Sequence, residues 1–376
     1  MLPIQKHKTF RLTYWLYLAV IIVVIAEVLV RIQIRYRYGF KHGAIGEIYQ
    51  LDATTGLRIP IPNLEIEGVK THININSLGF RGRELSAAKS PHTIRIAALG
   101  ASTTFCAEVS NNDSVWLEQV RVKLENRFPS YRFEALNGGV PGYGIIASLK
   151  NFRRRIVQLE PDIVIFYEAT NDISYASRQA AMAMGIINKN QNHYGSALPA
   201  FLSRHSQAFD LFYKNIAIVI RQKQASSALK LNNFPTQSAI PFIVCLDSIR
   251  QECEKIRAPL LIFTFCTKFR REQAFEQRLA NMNTSLYYMP WMAPDTFFEA
   301  FDLFNRKIFE FAQQHESVYV DTLHNAIPGD SKHFIDSVHF SDQGCRVMAN
   351  RVFNALLHEE LVQSVITCRQ KPKSNF

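Results

Sequence analysis

Three side chains that together could perform acyl transfer come from two distant segments of this 376-residue sequence. Ser102 follows the apolar run 94–99, and Asp336 and His339 lie three residues apart in a late segment. A serine hydroxyl is a weak nucleophile until a base accepts its proton, and an imidazole serves as that base only when its tautomer and orientation are fixed. Asp336 and His339 meet both needs from one short segment. This spacing predicts nucleophilic catalysis with Ser102 as the nucleophile.

Two further segments lie between them: 136–144 (Leu-Asn-Gly-Gly-Val-Pro-Gly-Tyr-Gly) and 166–172 (Phe-Tyr-Glu-Ala-Thr-Asn-Asp). In their order, the four segments resemble the four blocks of the SGNH, or GDSL-type, hydrolases over about residues 90–360. The resemblance implies ester hydrolysis on a three-layer α/β/α, flavodoxin-like fold with a five-stranded parallel sheet. By position it implies a catalytic triad of Ser102, Asp336 and His339 and an oxyanion hole formed by Ser102, Gly139 and Asn171.

Two residues depart from the pattern of that family. Its usual Gly-Asp-Ser is Gly-Ala-Ser here, with Ala101 in the middle, and its Gly-x-Asn-Asp begins with Ala169. Neither change removes a group that attacks, transfers a proton or binds the oxyanion, so we expect activity. Taken alone, Ser102 is better explained as the cap of the helix that follows it, and the nucleophile is favoured because all four blocks are present. Asp172 is expected to hydrogen-bond nearby backbone and hold the amide of Asn171 in place, with an acid–base role as the alternative.

Two other histidines compete with His339 for the role of base, namely His333 and His315. Only His339 is followed by a segment, 340–344, that opens the last helix with Ser341 or Asp342 as its cap. A histidine just before that helix can reach across the strand ends. His333 is therefore interpreted as an exposed loop residue or a secondary contact.

Short apolar runs alternate with helical patterns along the main domain, which predicts a parallel sheet with helices on both faces. Ligands of such sheets bind at the carboxyl ends of the strands, where Ser102, Gly139 and Asn171 fall. The predicted strands are 94–99, 132–136, 162–167, 259–265 and 317–321. The predicted helices lie near 113–128, 145–158, 241–257, 296–314 and 342–358.

A long apolar run at 12–30 predicts a transmembrane helix, since nineteen residues at a rise of 1.5 Å span about 28 Å. Tyr14, Trp15 and Tyr17 lie at one end, where aromatic rings favour the membrane interface. Glu27, near the other end, could snorkel or stay protonated. A cleaved signal peptide and a buried helix are the alternatives, and a retained anchor is favoured because no small-residue cleavage site is clear.

Basic residues flank this run on both sides, so the positive-inside count does not decide its orientation. The short segment before the run and the large body after it resemble a signal anchor with an exported body. For members of the family with this layout, the resemblance implies action outside the cytoplasm, on the periplasmic or cell-surface side.

The formal net charge of +11 is concentrated at the two ends of the chain. Residues 1–45 carry a net +6 and residues 366–376 a net +3, so the body between them is nearly neutral. That distribution argues against a nucleic-acid partner. The six cysteines show no Cys-x-x-Cys spacing, and the chain has no nucleotide-binding loop, so we expect no metal and no cofactor. Buried free thiols are the default, with a disulfide left open.

These patterns divide the chain into a short basic tail (1–11), a transmembrane signal anchor (12–30), a juxtamembrane extension (31–90), a hydrolase domain (91–365) and a basic C-terminal tail (366–376). The part of the extension at 39–90 is expected to be irregular and poor in strands. In its segment 75–83, Arg81 or Arg83 could contact the substrate. The favoured interpretation is that this segment is a clasp that packs against the main domain. The stretch 177–235 is an insertion that forms either a lid or a surface excursion.

The sequence thus predicts a membrane-anchored serine esterase that cleaves a small acyl ester, favouring O-acetyl, from a carbohydrate or envelope polymer. A lysophospholipase or lipid esterase is one alternative. An O-acyltransferase is another, because the same residues would pass the acyl group to a sugar hydroxyl if water were excluded from the site. The non-enzymatic alternative is a glycan-binding scaffold, supported by Ala101, Ala169 and Cys106.

Overall fold

The computed structural model describes residues 4–38, 48–86, 89–188, 197–224 and 230–370. Its strands are β1 (Tyr49–Leu51), β2 (Arg58–Pro60), β3 (Glu65–Glu67), β4 (His72–Asn74), β5 (Thr93–Gly100), β6 (Arg132–Asn137), β7 (Ile163–Tyr167), β8 (Leu260–Phe263) and β9 (Val318–Asp321). Its α-helices are α1 (Ile4–Tyr38), α2 (Ser102–Phe105), α3 (Trp116–Arg127), α4 (Ile145–Asn151), α5 (Thr170–Ala183), α6 (Ala197–His205), α7 (Gln207–Lys223), α8 (Ile240–Lys255), α9 (Phe275–Asn281), α10 (Asn283–Tyr288), α11 (Pro294–Gln313), α12 (Asp342–His358) and α13 (Leu361–Gln370).

The central sheet has five parallel strands in the order β6-β5-β7-β8-β9, which confirms the predicted sheet. All eight residues of β5 and all five of β7 are buried, because helices cover both faces of the sheet. Ala98 lies opposite Asn137 and Gly100 opposite Tyr167, so the carboxyl ends of β5, β6 and β7 share one edge. The three predicted site segments follow those ends.

The sheet lies in the middle of three layers. From β5 the chain passes through α3 to β6 on one side and then returns through α4 to β7 on the other side. Because such crossovers are right-handed, α3 and α4 lie on opposite faces of the sheet. Helix α12 packs against α3, while α8 packs against α4 and α11 against α8.

The predicted helix at 145–158 is divided in the structure. Helix α4 ends at Asn151 and continues as a π-turn, Phe152–Ile156, and a 3-10 turn, Val157–Leu159. Arg155 in the π-turn points inward, where its guanidinium donates to Asn151 Oδ1 and to the carbonyl of Leu78. The apolar periodicity of the segment carries no sign of these contacts.

The extension is more regular than expected in its described part. It contains two antiparallel pairs, β1 with β2 and β3 with β4. Ile66 and Ile73 face each other across the second pair and pack, with Ile75, against Phe105 of α2. The strands have three residues each, too few to show a period in the sequence. Residues 39–47 and 87–88 lie outside the described residues.

The two ends of the chain are more helical than predicted. The predicted transmembrane run lies inside α1, of which Thr13–Arg37 is long and apolar enough to cross a membrane. Residues 1–3 lie outside the described residues, and the rest of the predicted basic tail belongs to α1. At the other end, α13 includes residues 366–370 of the predicted tail, and its Arg369 pairs with Asp162. Residues 371–376 are not described.

The predicted insertion at 177–235 begins inside α5, which ends at Ala183. It continues with α6 and α7. Residues 189–196 and 225–229 lie outside the described residues.

Candidate active site

Ser102 is the first residue of α2, directly after the end of β5. The turn between them is tight, because a Cβ at Gly100 would lie 2.2 Å from Thr104 Oγ1 and 2.5 Å from the carbonyl oxygen of Tyr167. Ala101 is the N-cap residue and is buried, so the methyl group that replaces the family's aspartate packs in the interior. The first turn of a helix leaves N–H groups without acceptors inside the helix, and α2 therefore presents donors beside Ser102.

The three side chains predicted as a triad form one hydrogen-bonded chain. His339 Nε2 lies 2.8 Å from Ser102 Oγ, and His339 Nδ1 lies 2.8 Å from Asp336 Oδ2. The other oxygen of Asp336, Oδ1, accepts the backbone N–H groups of Val338 and His339, each at 2.9 Å. Asp336 is thereby fixed within its loop and in turn fixes the orientation of the imidazole.

Charges around His339 favour its protonated form. Burial disfavours the imidazolium, but the negative charge of Glu108 and the hydrogen bond with Asp336 outweigh it and raise the pKa of His339 to about 9. Burial also works against ionised Asp336, yet the hydrogen bonds from His339 and from the backbone hold its pKa below its usual value. The pair therefore stabilises a positive charge on the imidazole, as a base that accepts a serine proton requires.

Glu108 is the residue of this site that the sequence did not reveal. It follows α2 by three positions, and its Oε2 is buried without a hydrogen-bond partner in the described part of the chain. An isolated acidic residue in a loop belongs to none of the four blocks. No spacing or periodicity in the sequence indicates that it faces His339.

Gly139 lies against the backbone of α2. A Cβ there would lie 2.6 Å from Phe105 N and 2.9 Å from Ala101 O, so glycine is required for contact between two loops. Its N–H donates to Asn137 Oδ1 at 3.0 Å, and Asn137 Nδ2 donates to the carbonyl of Thr104. An oxyanion at this position must share that N–H with Asn137 or displace it.

Asn171 lies in the first turn of α5, directly after the end of β7 and the buried Ala169. Its Nδ2 donates to the carbonyl of Tyr143 at 2.6 Å. A side-chain amide carries two N–H groups, so this bond fixes the amide and leaves its second hydrogen for another acceptor.

A family model described as GDSL-like Lipase/Acylhydrolase matches residues 96–352, which is more than half of the chain. The chain belongs to this family. It is accordingly a hydrolase that acts on ester bonds. The matched range contains all the residues of the hydrogen-bonded chain described above. No curated protein sequence matches this GDSL-like hydrolase.

Several solved structures are similar to this GDSL-like hydrolase. An acetyl xylan esterase, AlAXEase, is 11% identical over 70% of this chain and 100% of that chain, with a TM-score of 0.43. The lipase/acylhydrolase from Enterococcus faecalis is 14% identical over 71% and 96%, with a TM-score of 0.40. Axe2, an acetylxylan esterase from Geobacillus stearothermophilus, is 13% identical over 70% and 94%, with a TM-score of 0.42.

Close to Asn171 in the sequence, this hydrolase has one buried carboxyl group, that of Glu168, and one half-buried carboxyl group, that of Asp172. Asp172 accepts the backbone N–H of Ile145 at the start of α4, at 3.1 Å and 3.2 Å, which is the hydrogen bond to backbone that was expected of it. Glu168 Oε2 accepts the hydroxyl of Ser148 at 2.7 Å. Burial raises the pKa of Asp172 to about 7 and that of Glu168 well above its usual value. The pair joins α4 and α5 below the site.

The competing histidines of the hydrolase lie elsewhere. His333 is buried and bonds Asp330 Oδ1 through Nδ1 at 2.8 Å, so the expectation of an exposed loop residue is wrong. His315 lies just beyond the end of α11 with its Nδ1 2.8 Å from the carbonyl oxygen of Phe311. Ser341 is the N-cap of α12 and accepts the N–H of Gly344, as predicted.

The extension reaches the end of α2 through Arg81. This guanidinium is buried, and it donates to the carbonyls of Phe105 and Cys106 and to Asn112 Oδ1. Arg83, by contrast, is exposed and pairs with Glu118 at 2.7 Å. These contacts are those of a packing clasp on the segment that carries Ser102.

All six cysteines of the hydrolase are free thiols, and Cys106 Sγ and Cys345 Sγ lie 3.7 Å apart. Within the described ranges, no group of three or more His, Cys, Asp or Glu side chains is placed to hold a metal ion.

Proposed function

We propose that this protein is a serine esterase that removes a small acyl group, O-acetyl foremost, from a carbohydrate or envelope polymer. The observation that carries the proposal is the hydrogen-bonded chain from Ser102 through His339 to Asp336. Membership of the GDSL-like family supplies the ester-cleaving chemistry. The acetyl xylan esterases among the similar structures act on acetylated xylan by name, and we extend only that class of substrate to this chain.

In this proposal His339 accepts the Ser102 proton as Oγ attacks the ester carbonyl carbon. The N–H groups of Ser102 and Gly139 and the amide of Asn171 stabilise the oxyanion, each contributing on the order of 3 kcal/mol to the transition state. His339 then returns the proton to the leaving alkoxide, and an acyl-serine remains. A water molecule, deprotonated by His339, releases the acid and restores the hydroxyl.

The test is hydrolysis of p-nitrophenyl acetate by the full-length chain in detergent. Ser102→Ala and His339→Ala are each expected to lower kcat by at least about a thousandfold, because either change removes a member of a unit that acts together. Ser248→Ala on α8 and His358→Ala, whose side chain is 85% exposed, are matched controls that keep full activity. Equal activity of all four variants would contradict the proposal.

A serine-directed fluorophosphonate probe separates the non-hydrolytic alternatives. Protein that reacts with the probe at Ser102 but releases no acetate would be an acyltransferase. Folded protein that does not react would be a scaffold, which would overturn the proposed chemistry. Release of acetate from acetylated xylan, and none from xylan without acetyl groups, is the result expected for the favoured substrate class.

We further propose that α1 is a retained anchor and that the hydrolase domain lies outside the cytoplasm. The support is the apolar span Thr13–Arg37, whose side chains are largely exposed along its length. Tyr14 and Trp15 at its start are 59% and 63% exposed, as expected for rings at a membrane interface.

An apolar cavity of about 430 Å³ supports a second candidate, a lipid esterase. Asp172, next to Asn171, lies in its wall, and the other lining side chains include Ile145, Ala176, Ala180, Phe242 and Phe304. A cavity of this kind suits an acyl chain better than a sugar. If it receives one, p-nitrophenyl octanoate is the better substrate and Ala180→Phe lowers activity on it alone. If the favoured proposal is right, the acetate ester is preferred and Ala180→Phe changes neither rate.

A further inference from the structure

We propose that helices α6 and α7 lie in the lipid bilayer beside α1, so that the three helices form one membrane-embedded unit. The proposal rests on the proposed function only in taking α1 as a membrane span. It places in contact with lipid a helical hairpin that lies in the stretch 177–235, which the sequence analysis interpreted as a lid or a surface excursion.

The outward face of α7 is apolar except for Asn215, whose amide donates to the carbonyl of Leu211 in the same helix. The exposed apolar side chains of this face recur with helical spacing and are 41–63% exposed; they are Leu211, Phe212, Ile216, Val219 and Ile220. An ordinary surface helix has the reverse arrangement, with apolar residues inward and polar residues outward. A contiguous apolar face of this kind marks a surface that something else covers.

Three of the four charged residues of α7 are partly buried, and the fourth, Lys223 at its last position, is exposed. Lys214 pairs with Asp210 at 2.7 Å, one helical turn apart, and both are partly buried. Arg221 donates to the carbonyl of Tyr287 and lies over the ring of that tyrosine, 4.6 Å from its centre. Three charged groups of α7 thus have partners within the protein, as lipid requires of charges on a helix in contact with it.

Helix α7 begins against α1. The carboxylate of Glu27 accepts the hydroxyl of Ser206 at 2.7 Å and the backbone N–H groups of Gln207 and Ala208 at 3.2 Å and 3.0 Å. Arg31 pairs with the same carboxylate at 2.6 Å. From the sequence, Glu27 was expected either to snorkel to the membrane interface or to stay protonated. Instead, the structure satisfies this acid inside the protein, at the junction of two helices.

This junction lies well away from the body of the protein. The end of α1 is fixed to the body at Tyr36, whose carbonyl accepts the N–H of Val69 at 2.8 Å. Glu27 precedes Tyr36 by nine residues, which is about 14 Å along a helix. Helix α7 therefore starts at the level of the apolar part of α1 and runs toward the body, where Arg221 holds its other end.

The occupant of the outward face follows from this placement. Exposed side chains of α1 on both sides of Glu27, such as Ile25 and Val28, are as apolar as those of α7 at the same level. A bilayer that surrounds α1 there also surrounds α7, and α6 adds Leu198 and Phe201, which are 66% and 58% exposed. A lipid bilayer covers all of these surfaces at once.

The hairpin is also connected to the active-site loop. Helix α7 packs against α10, and the N–H groups of Thr284 and Ser285 in α10 donate to Ser337 Oγ. Ser337 lies between Asp336 and His339. The membrane-embedded unit therefore holds the catalytic loop close to the lipid surface, within reach of esters attached to the membrane or lying against it.

The test uses the full-length chain in liposomes of phosphatidylcholine and phosphatidylglycerol. A fluorescent amino acid is placed singly at Phe212 on α7, at Ile25 on α1, or at Val122, an exposed apolar residue on α3. Lipids that carry a doxyl quencher on the acyl chain report contact with the bilayer, and iodide reports contact with water. Hydrolysis of p-nitrophenyl acetate by each labelled protein shows that it is folded.

We expect doxyl lipid to quench most of the emission at Phe212 and at Ile25, with iodide quenching only at Val122. Quenching by doxyl lipid at Ile25 together with iodide quenching at Phe212 would overturn the hairpin proposal and leave the anchor intact. Iodide quenching at both positions would reject the anchor as well. The esterase proposal is tested separately: it would be contradicted if Ser102→Ala did not lower the rate of p-nitrophenyl acetate hydrolysis.

Discussion

At the scale of single residues, the protonation of His339 depends on two carboxylates from different parts of the chain. Asp336 is a neighbour in sequence and fixes the ring through Nδ1 at 2.8 Å. Glu108 comes from the loop after α2, and its charge is the largest of the effects that favour the imidazolium. The first carboxylate orients the imidazole, and both stabilise the charge that it acquires when Ser102 attacks.

This arrangement predicts the pH dependence of ester hydrolysis. Only neutral imidazole accepts a proton, and the pKa of His339 is raised to about 9, so kcat/KM is expected to rise with pH until about pH 9. Glu108→Gln removes a negative charge that stabilises the imidazolium. The pKa of His339 then falls, and the rise in kcat/KM moves to lower pH.

The control for that shift is Asp113→Asn, which removes an exposed carboxylate that pairs with Arg83. Its pH profile should match that of the unaltered protein. Coincident profiles for Glu108→Gln and the unaltered protein would show that Glu108 does not act on His339.

The carboxyl pair of Glu168 and Asp172 gives a second prediction at this scale. The pKa of Asp172 rises from 3.8 in the unfolded chain to about 7 in the fold, so the folded state binds more protons between these values. The free energy of unfolding should therefore fall as pH rises through this window. Asp172→Asn keeps an acceptor for the N–H of Ile145 and should flatten that fall, as measured by urea unfolding at pH 5 and pH 8. An unchanged slope would contradict the assignment.

At the scale of elements, the turn that carries Ser102 is held from three sides. The loop after β6 packs on α2 through Gly139, Asn137 donates to the carbonyl of Thr104, and Arg81 donates to the carbonyls at the end of α2. Helix α2 has only four residues, too few to be stable alone. Its position therefore depends on these contacts with neighbouring segments.

Replacement of the two clasp arginines should have different effects. Arg81→Met leaves buried carbonyl groups of Phe105 and Cys106 without donors and is expected to lower the free energy of unfolding by about 2–4 kcal/mol. It should also lower kcat, since α2 carries Ser102. Arg83→Met removes an exposed guanidinium and leaves Glu118 paired with Arg121, so it should cost about 1 kcal/mol or less. Chemical denaturation compares the two variants, and equal effects would argue against the clasp.

Strands β5, β7 and β8 were predictable because all of their residues are buried and most are apolar. The observed bounds of β5 and β6 differ from the predicted ones by no more than one residue. The two small sheets of the extension could not be predicted, because their three-residue strands become regular only where Ile66 and Ile73 find an apolar surface on α2. The π-turn after α4 likewise depends on Arg155 contacting Leu78.

At the scale of the whole molecule, a hydrolase domain is joined to an apolar helix by contacts at two levels. Tyr36 binds the extension and Glu27 binds α7, so α1 packs on the rest of the protein rather than only preceding it. If α1 were removed as a signal peptide, Glu27 would be lost, and the N-terminus of α7 would lose its hydrogen-bond acceptor.

Retention of α1 is therefore expected in the mature protein. Intact-mass analysis of protein purified from membranes should include residues 12–30, and an alkaline carbonate wash should leave the protein in the membrane fraction. Glu27→Leu keeps the apolar run but removes the acceptor for α7, and it should loosen α7 without releasing the chain from the membrane. Limited proteolysis near α7 detects that change. A mature N-terminus beyond residue 30 would exclude a retained anchor.

The sequence by itself determined the order of the four blocks, the five strands of the central sheet and a run of membrane length, because each is encoded by residue type and periodicity within one segment. Only the tertiary structure decided that Glu108 faces His339, that Arg81 holds α2 and that Glu27 binds the start of α7. These contacts join residues far apart in sequence, and a single polar side chain carries no periodicity. Their partners are set by the packing of whole elements, which brings together groups that no local pattern connects.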